Sequence, residues 1–576
     1  MLFRSCNPID LEYKFQHYGD YAHREAADPT IVLFKGTYYL FTSMTAGFHY
    51  SDDLVHWTYH EDRDLDMYRY APDVRPVGDW LYFCASTRKD PSTIWRSRDP
   101  LKGFEKVSEP FAFWDPDLLC DDDGRVYFYW GCGNVDPIWG IELDPETMLP
   151  IGEKVACFDH GEDVHGWERF NFPGKEESAQ KGFAGLVMKY LNRKGRPYME
   201  GAFMNKINGK FYLQYAAPGT ELPTYGDGYY VSDKPLGPFT FMPNTPFSLK
   251  PSGFITGAGH GSTIEDKDGN LIHVSTMRIS KNQNFERRIG IFPAAVDEDG
   301  LLYCNQNFAD YPIVLPDGKY DAKDLKPEHF LLSYRKKAEA SSSKAGHPVE
   351  LALDEDIRTW WAAETEKAWY LLDLGDVYRP HSVQINFAEE EVPVKNVDKK
   401  LKSDIMTNNR YIDSSNLLRT RYLLEGSLDK ENWFTIYDGS GRKDDRSHPY
   451  HILDGKYEIR YLKVTSLELP YGEVFALSGL RIFGKGHGEV PEAVKNVKAE
   501  RDPNGMDCRV SFERSEGAIG YNIRFGIAED KLYSSYLVYD KNEVLLTTLN
   551  AGQDYYIAVD SFNENGICEA DTVLKI

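Results

Sequence analysis

The sequence predicts an all-β protein: a five-bladed β-propeller followed by two β-sandwich domains. Three observations point there. One small pattern (a polar residue, a short apolar strand, a Gly-centred turn, a second strand) recurs five times up to about residue 320. Beyond it the repeats stop, and runs of alternating apolar and polar residues begin, the pattern of sheets packed on one face. Aromatic residues make up 14% of the chain, with 38 Tyr and 11 Trp, a richness that suits packed sheets and sugar-binding surfaces alike. A chain of 576 residues is in any case too long for a single core.

The five copies open at Asp28 (turn at Gly36), Asp73 (Gly78), Asp115 (Gly124), Glu200 (Gly209) and His260 (Gly269). Four openers are acidic. In a propeller the start of each innermost strand faces one central funnel, so Asp28, Asp115 and Glu200 are expected to meet although far apart in sequence. Asp28 and Asp115 each precede Pro, which predicts extended backbone at both. The stretches 51–57 and 232–239 read as outer-strand turns capped by Asp, with Trp57 and Phe239 packing between blades. Residues 158–198, with Gly161, Gly166, Gly174, Gly182 and Gly185, read as a long insertion that shapes a substrate pocket at the funnel rim.

The propeller is expected to span 1–325, ending near Pro316-Asp-Gly and Leu325-Lys-Pro. A sandwich follows over 331–486, with landmarks Thr359-Trp-Trp361, Trp369-Tyr-Leu-Leu-Asp-Leu-Gly375 and the segment 422–433. The linker 485–491 leads to a last sandwich over 490–576, whose length and strands at 508–512, 520–525 and 555–559 suit an immunoglobulin-like fold. Neither sandwich holds acids with repeat-related placement. Both are therefore expected to be non-catalytic, and the last to be a spacer.

Hydrolysing a glycosidic bond takes two carboxyl groups, one protonated to release the leaving oxygen and one ionised to activate water or to attack. A third carboxylate nearby holds the proton on the acid by like-charge repulsion. Asp28, Asp115 and Glu200 supply three, and Glu200 stands among apolar neighbours in Tyr198-Met-Glu-Gly-Ala-Phe203. Asp73 in Ala71-Pro-Asp-Val takes the same repeat position, where it either lines the funnel or caps its strand. His260 lies in Gly257-Ala-Gly-His-Gly-Ser262, where small residues let backbone approach a central ligand or ion; the alternative is a buried structural His. Of Arg287 and Arg288 only one can reach the funnel, because adjacent strand residues face opposite ways.

Composition excludes other classes. The formal net charge of −24 argues against nucleic acid or an anionic membrane surface as partner. No run approaches the roughly 18 apolar residues of a membrane span. The eight cysteines are scattered singly, with no metal-ligand spacing, and read as reduced thiols. Residues 1–10 show no apolar signal-peptide core, so a cytoplasmic protein is expected, or a secreted one if the N-terminus is truncated.

These motifs resemble glycoside hydrolase family 43, enzymes built on a five-bladed propeller. The resemblance rests on Ala27-Asp28-Pro29, on Trp114-Asp-Pro-Asp117 with Asp121-Asp-Asp-Gly124, and on Glu200-Gly201 before Asn208-Gly-Lys-Phe-Tyr212. It extends more loosely to His260 and the Arg287 region, and covers about residues 20–315. It implies Asp28 as general base, Glu200 as general acid, and Asp115 as the residue that orients and tunes Glu200. Asp73, Trp114, His260 and Arg287 become substrate-binding candidates. The family inverts anomeric configuration and acts mostly on arabinofuranosides and xylosides, with galactose-specific members. It implies no required cofactor. Some members hold a structural Ca²⁺ near the central His, and nothing in this sequence reads as a carboxylate cage for one.

The middle region resembles discoidin (factor 5/8 C-type) modules, which commonly bind carbohydrate, and the last resembles fibronectin type III. In the latter, Leu549-Asn-Ala-Gly-Gln-Asp-Tyr555 reads as a tyrosine corner, and Phe512 stands where a core Trp is usual. The sequence thus points to an exo-acting glycosidase that removes a terminal pentose, α-L-arabinofuranose or β-D-xylose, from an oligosaccharide or plant-type glycan. Rivals are a β-galactofuranosidase or galactosidase of the same family, a non-catalytic carbohydrate-binding propeller, and a retaining propeller fructosidase. The intact acid set argues against the second. Carboxyl separation, about 5–5.5 Å for retaining against about 6.5–9.5 Å for inverting enzymes, distinguishes the third.

Overall fold

The computed structural model describes residues 3–576 apart from 19–20, 63, 66–69, 87–90, 176–195, 280–283, 391, 394–405, 408–409 and 414–417. The five repeats form five four-stranded antiparallel sheets, each a blade. Their innermost strands are Ala27–Phe34, Asp73–Val77, Asp117–Cys120, Glu200–Ile207 and Thr256–Glu265, in blades 1 to 5. Each repeat supplies the two inner strands. The turn glycines between them take left-handed backbone, as at Gly36 (φ +84°) and Gly124 (φ +83°), which a side chain would strain. The first outer-strand turn is capped by Asp as expected, whereas in the second Ser232 Oγ accepts Lys234 N–H (3.0 Å) and Asp233 pairs with Lys210. Asp53 Oδ1 accepts the N–H groups of Val55 and His56, and Trp57 packs between blades 1 and 5. Phe239 packs with side chains of blades 3 and 4.

A ring of hydrogen bonds ties each inner strand to the next. Thr30 Oγ1 donates to Pro72 O (2.7 Å), Leu118 N–H to Asp73 Oδ2 (2.8 Å) and Met204 N–H to Asp117 Oδ2 (2.8 Å). Asn205 Nδ2 donates to Thr263 O (2.9 Å), and Ile31 N–H to Ser262 Oγ (3.0 Å) closes the ring from blade 5 to blade 1. Arg75 reaches from blade 2 to Asp117, to Met204 O (3.0 Å) and over the Phe203 ring (3.6 Å), filling the space between these strands. Burial and the neighbouring Asp117 push the Asp73 carboxyl up to about 8.

Two further pairs of sheets follow. In the first sandwich Trp369–Tyr378, Ile459–Glu468, Arg421–Ser427 and their neighbours face Ala476–Gly484, Ser382–Phe387 and theirs. Between them lies a core that includes fully buried Trp361, Tyr370 and Phe475. Trp360 and Trp433 are only half-buried. The last sandwich packs Lys498–Arg501, Cys508–Ser511 and Glu543–Leu546 against a sheet built on Gly520–Gly526 and Tyr556–Asn563. Tyr555 makes the expected corner, its hydroxyl accepting Asn550 N–H (3.0 Å).

The last sandwich is not a spacer. It docks on the insertion after blade 3: Gly166 N–H donates to Leu549 O (2.9 Å), Ala551 N–H to Val164 O (2.7 Å), and Arg169 forks onto buried Asp507 (2.6 and 3.2 Å). Lys531 pairs with Asp297 (2.7 Å), and Tyr533 stacks on Tyr303 at 4.0 Å. The described part of 158–198 therefore serves as a docking surface; Gly182 and Gly185 lie outside the described residues. The first sandwich also joins the propeller directly. Its strand Arg410–Asp413 pairs with Lys14–Tyr18, which forms a hairpin with Tyr21–Glu25 just ahead of blade 1.

Arg169→Met leaves Asp507 buried without its cation, a change that typically costs about 3–5 kcal/mol. Calorimetry should then resolve the last sandwich as a separate transition at lower temperature. An unchanged single transition would contradict the docking role.

Candidate active site

Each blade has a residue of left-handed backbone in or just before its innermost strand: Asp28 (φ +48°), Ala71 (+47°), Asp115 (+48°), Gly201 (+64°) and His260 (+50°), the last preceded in the same strand by Gly257 (+108°) and Ala258 (+96°). Asp28, Ala71 and Asp115 all precede Pro, so the extended backbone expected at the two acids is not what forms. The reason lies in where the N–H groups go. Asp28 N–H donates to Thr276 Oγ1 (2.8 Å), Ala71 N–H to Ser43 Oγ (2.7 Å) and Asp115 N–H to Ser86 Oγ (2.8 Å). Each acceptor lies within two residues of the C-terminal end of the preceding blade's second strand. His260 and Gly201 do the same work differently. His260 N–H donates to Asp227 Oδ1 (2.7 Å), and a Cβ on Gly201 would meet the His260 ring at 2.8 Å. A left-handed L-residue costs about 1–2 kcal/mol, less for Asp, and these hydrogen bonds offset it.

The kinks correct the phase of the repeat. Ala71, not Asp73, is the counterpart of Asp28 and Asp115. Asp73 corresponds to Thr30 and Asp117, two residues on, and belongs to the inter-blade ring, 1% exposed. Glu200 precedes its kink by one residue, as Trp114 and Ala27 precede theirs.

The structure brings Asp28, Asp115, Glu200, His260 and Arg287 together. His260 Nδ1 lies 3.5 Å from Asp28 Oδ1 and 3.8 Å from Asp115 Oδ2. Asp28 accepts Ser43 Oγ (2.6 Å) and Arg287 Nη1 (3.1 Å); Asp115 accepts Ser86 Oγ (3.1 Å). Glu200 accepts Tyr225 OH (2.6 Å) on one oxygen and the Cys132 thiol (3.3 Å) on the other. Arg287 also donates twice to fully buried Glu25 Oε1 (2.6 and 3.0 Å). Arg288 points the opposite way, as alternation requires. Trp114 is half-buried beside Asp115.

Burial pushes the Asp115 carboxyl up to about 7; Glu200 and Asp28 add to the shift, and His260 opposes it. For His260 burial acts downward, but Asp28, Asp115, Glu200 and Asp227 outweigh it, so the imidazole holds its proton above its ordinary range. Burial, then Asp115 and Glu200, raise the Cys132 thiol well above its usual value, which keeps it a hydrogen-bond donor and not a nucleophile.

Asp115, Cys132 and Glu200 also form a group whose ligand atoms lie within 4.8 Å of one another. Two carboxylates and a protonated thiol do not fit Ca²⁺, which takes six to eight oxygen ligands.

Glu25, Cys132, Tyr225 and the three hydroxyl residues were missed by sequence reasoning. A signal existed for two of them. Ser86 and Cys132 each stand two residues past the second strand of their blade, Trp80–Cys84 and Val126–Trp130.

Residues 22–302 match the family profile of Glycosyl hydrolases family 43. A xylosidase/arabinosidase of Bacteroides ovatus is 25% identical over 286 residues, covering 39% of this chain and 78% of that one. A β-xylosidase of Xylanibacter ruminicola is 27% identical over 152 residues, 25% of this chain and 42% of its own. A solved glycoside hydrolase aligns at 17% identity over 80% of this chain and 97% of its own, with a TM-score of 0.45.

The Asp115 carboxyl gives a pH-linked expectation. Its folded value lies above the unfolded 3.8, so the stability it contributes is present at low pH and is lost as pH rises towards about 7. Asp115→Asn removes that loss. Its Tm gain over wild type should be larger at pH 8 than at pH 4.5, and an equal difference at both would contradict the assignment.

Proposed function

We propose, for a chain whose propeller belongs to glycosyl hydrolases family 43, an inverting exo-acting glycosidase that releases a terminal pentose, α-L-arabinofuranose or β-D-xylose. The observation that carries the reading is the convergence of Asp28, Asp115 and Glu200, from three blades, around His260. In this reading Asp28 is the base. Ser43 and Arg287 hold its carboxylate, and it takes the proton of the attacking water. Glu200, fixed by Tyr225 and Cys132, gives its proton to the leaving oxygen. Asp115 acts through Glu200: its carboxyl lies within 4.8 Å of the acid's and orients it. His260 offsets the negative charge that Asp28 and Asp115 bring to one buried point. Trp114, half-buried beside Asp115, is the aromatic candidate for stacking on the sugar.

The relatives named xylosidase, β-xylosidase and arabinosidase support the pentose. We place the two sandwiches with discoidin-like and fibronectin type III-like modules, the first a carbohydrate-binding candidate through half-exposed Trp360 and Trp433.

A panel of aryl glycosides tests the sugar: turnover of arabinofuranoside or xyloside is expected, and turnover of galactosides alone would contradict the reading. Asp28→Asn should keep the fold and lose most turnover, since general base catalysis contributes about 10²–10⁴-fold; more than about a tenth of wild-type kcat would sink the base assignment. Glu200→Gln should spare substrates with good leaving groups, which need no protonation. Equal losses on aryl and alkyl leaving groups would show that Glu200 is not the acid.

A further inference from the structure

We propose that the first sandwich is a working part of the active site, holding Glu25 and Arg287 in position through a buried charge network. The proposal rests on the function just given for its kinetic test, but not for its structural one.

Two strands carry the argument: Tyr21–Glu25 of the N-terminal hairpin and Arg287–Val296 of blade 5. Each presents neighbouring residues to opposite sides. Glu25 and Arg287 face the funnel, where Arg287 bridges Glu25 and Asp28. Their chain neighbours Arg24 and Arg288 face the sandwich, and both are 0% exposed. Arg24 forks onto Asp445 (2.8 and 3.0 Å) and donates to Glu389 (2.6 Å), with Glu473 at 3.7 Å. Arg288 donates to the same Glu389 (3.2 Å), to His448 Nε2 (2.8 Å) and back to Arg24 O (2.6 Å). Glu389 thus joins both arginines, and every one of these acids comes from the sandwich.

A buried guanidinium needs its partner, because an uncompensated charge in the interior forces a rearrangement or draws in water. Arg24 and Arg288 cannot move without moving the residues bonded to them in the chain. Those are Arg287, which holds Asp28, and Glu25, which holds Arg287, and a displacement of about 1 Å in a positioning group can cost about 10²-fold in rate. Glu389 and Asp445 are therefore positioning residues, acting through Arg24 and Arg288. The same boundary holds a second buried pair, Arg481 with Glu355 (2.9 and 3.0 Å), anchored to Asp310 O (2.7 Å). Among the described residues it makes no direct bond to Arg24, Glu25, Arg287 or Glu389, and it reaches Arg288 only through the neutral relay Gln384, Asn386 and His448, which makes it the control for simple loosening of the interface.

The test uses the full chain with Glu389→Gln, Asp445→Asn, Glu389→Asp and Glu355→Gln, assayed on an aryl pentoside well below each Tm. Glu389→Gln and Asp445→Asn should lower kcat about 10- to 100-fold, with KM within about threefold. Glu389→Asp, which keeps the charge, should recover part of the loss. Amide hydrogen exchange should quicken at 21–28 and 287–289 in the first two variants. Glu355→Gln should lower Tm and leave both kcat and that exchange unchanged. If Glu389→Gln fails to fold, Asp445→Asn, which leaves Glu389 beside Arg24, decides alone. Unchanged kcat and exchange in the network variants, or an equal loss in Glu355→Gln, would overturn the proposal. Exchange is read without any substrate, so it decides even if the pentosidase reading fails.

Discussion

The funnel depends on a left-handed turn of the backbone at the head of each blade. An extended strand sends successive side chains to alternate faces, and none of them along the propeller axis. The positive φ at Asp28, Ala71, Asp115, Gly201 and His260 breaks that alternation in every blade. It lasts because the displaced N–H groups of Asp28, Ala71, Asp115 and His260 find acceptors: Thr276, Ser43 and Ser86 hydroxyls, and the Asp227 carboxylate. Beneath the kinks, the ring through Thr30, Asp73, Asp117, Asn205 and Ser262 fixes the blades against each other. Ala71 shows that the kink needs no acid: the backbone takes the same positive φ, with nothing to titrate.

That geometry forces like charges together in a dry place. Asp28, Asp115 and Glu200 share it with His260, and Arg287 approaches from blade 5. The Asp115 carboxyl is raised first by its burial and then by Glu200 and Asp28. Such an arrangement lowers stability and is held by its surroundings. Here the surroundings reach beyond the propeller. The strands that bring Glu25 and Arg287 to the funnel are pinned from behind by acids more than a hundred residues away in sequence.

Much of this was legible in the sequence. The repeats gave the blades, the inter-blade Trp57 and Phe239, and the convergence of three acids. Alternation separated Arg287 from Arg288. The phase of the second repeat was misread because its acid was aligned with the other acids. Aligning Pro29, Pro72 and Pro116 would have placed Ala71 opposite Asp28. The left-handed backbone was not legible, since a residue before Pro favours extended structure until a hydroxyl elsewhere takes its N–H. The partners of Arg24 were not legible either. A chain with 90 acidic residues does not say which of them, 365 or 421 positions away, will neutralise one buried arginine.

The central claim is that the kinks set Asp28 and Glu200 on different sides of the reacting carbon. Asp28 is linked to Glu200 through His260 and Asp115 and touches neither the Tyr225 hydroxyl nor the Cys132 thiol that hold Glu200 in the contacts described above. The most direct measurement is proton NMR of the sugar first released from an aryl pentoside, recorded before mutarotation. The account predicts the anomer opposite to that of the substrate. First appearance of the retained anomer would mean a covalent intermediate, and would contradict Asp28 as a base acting on water.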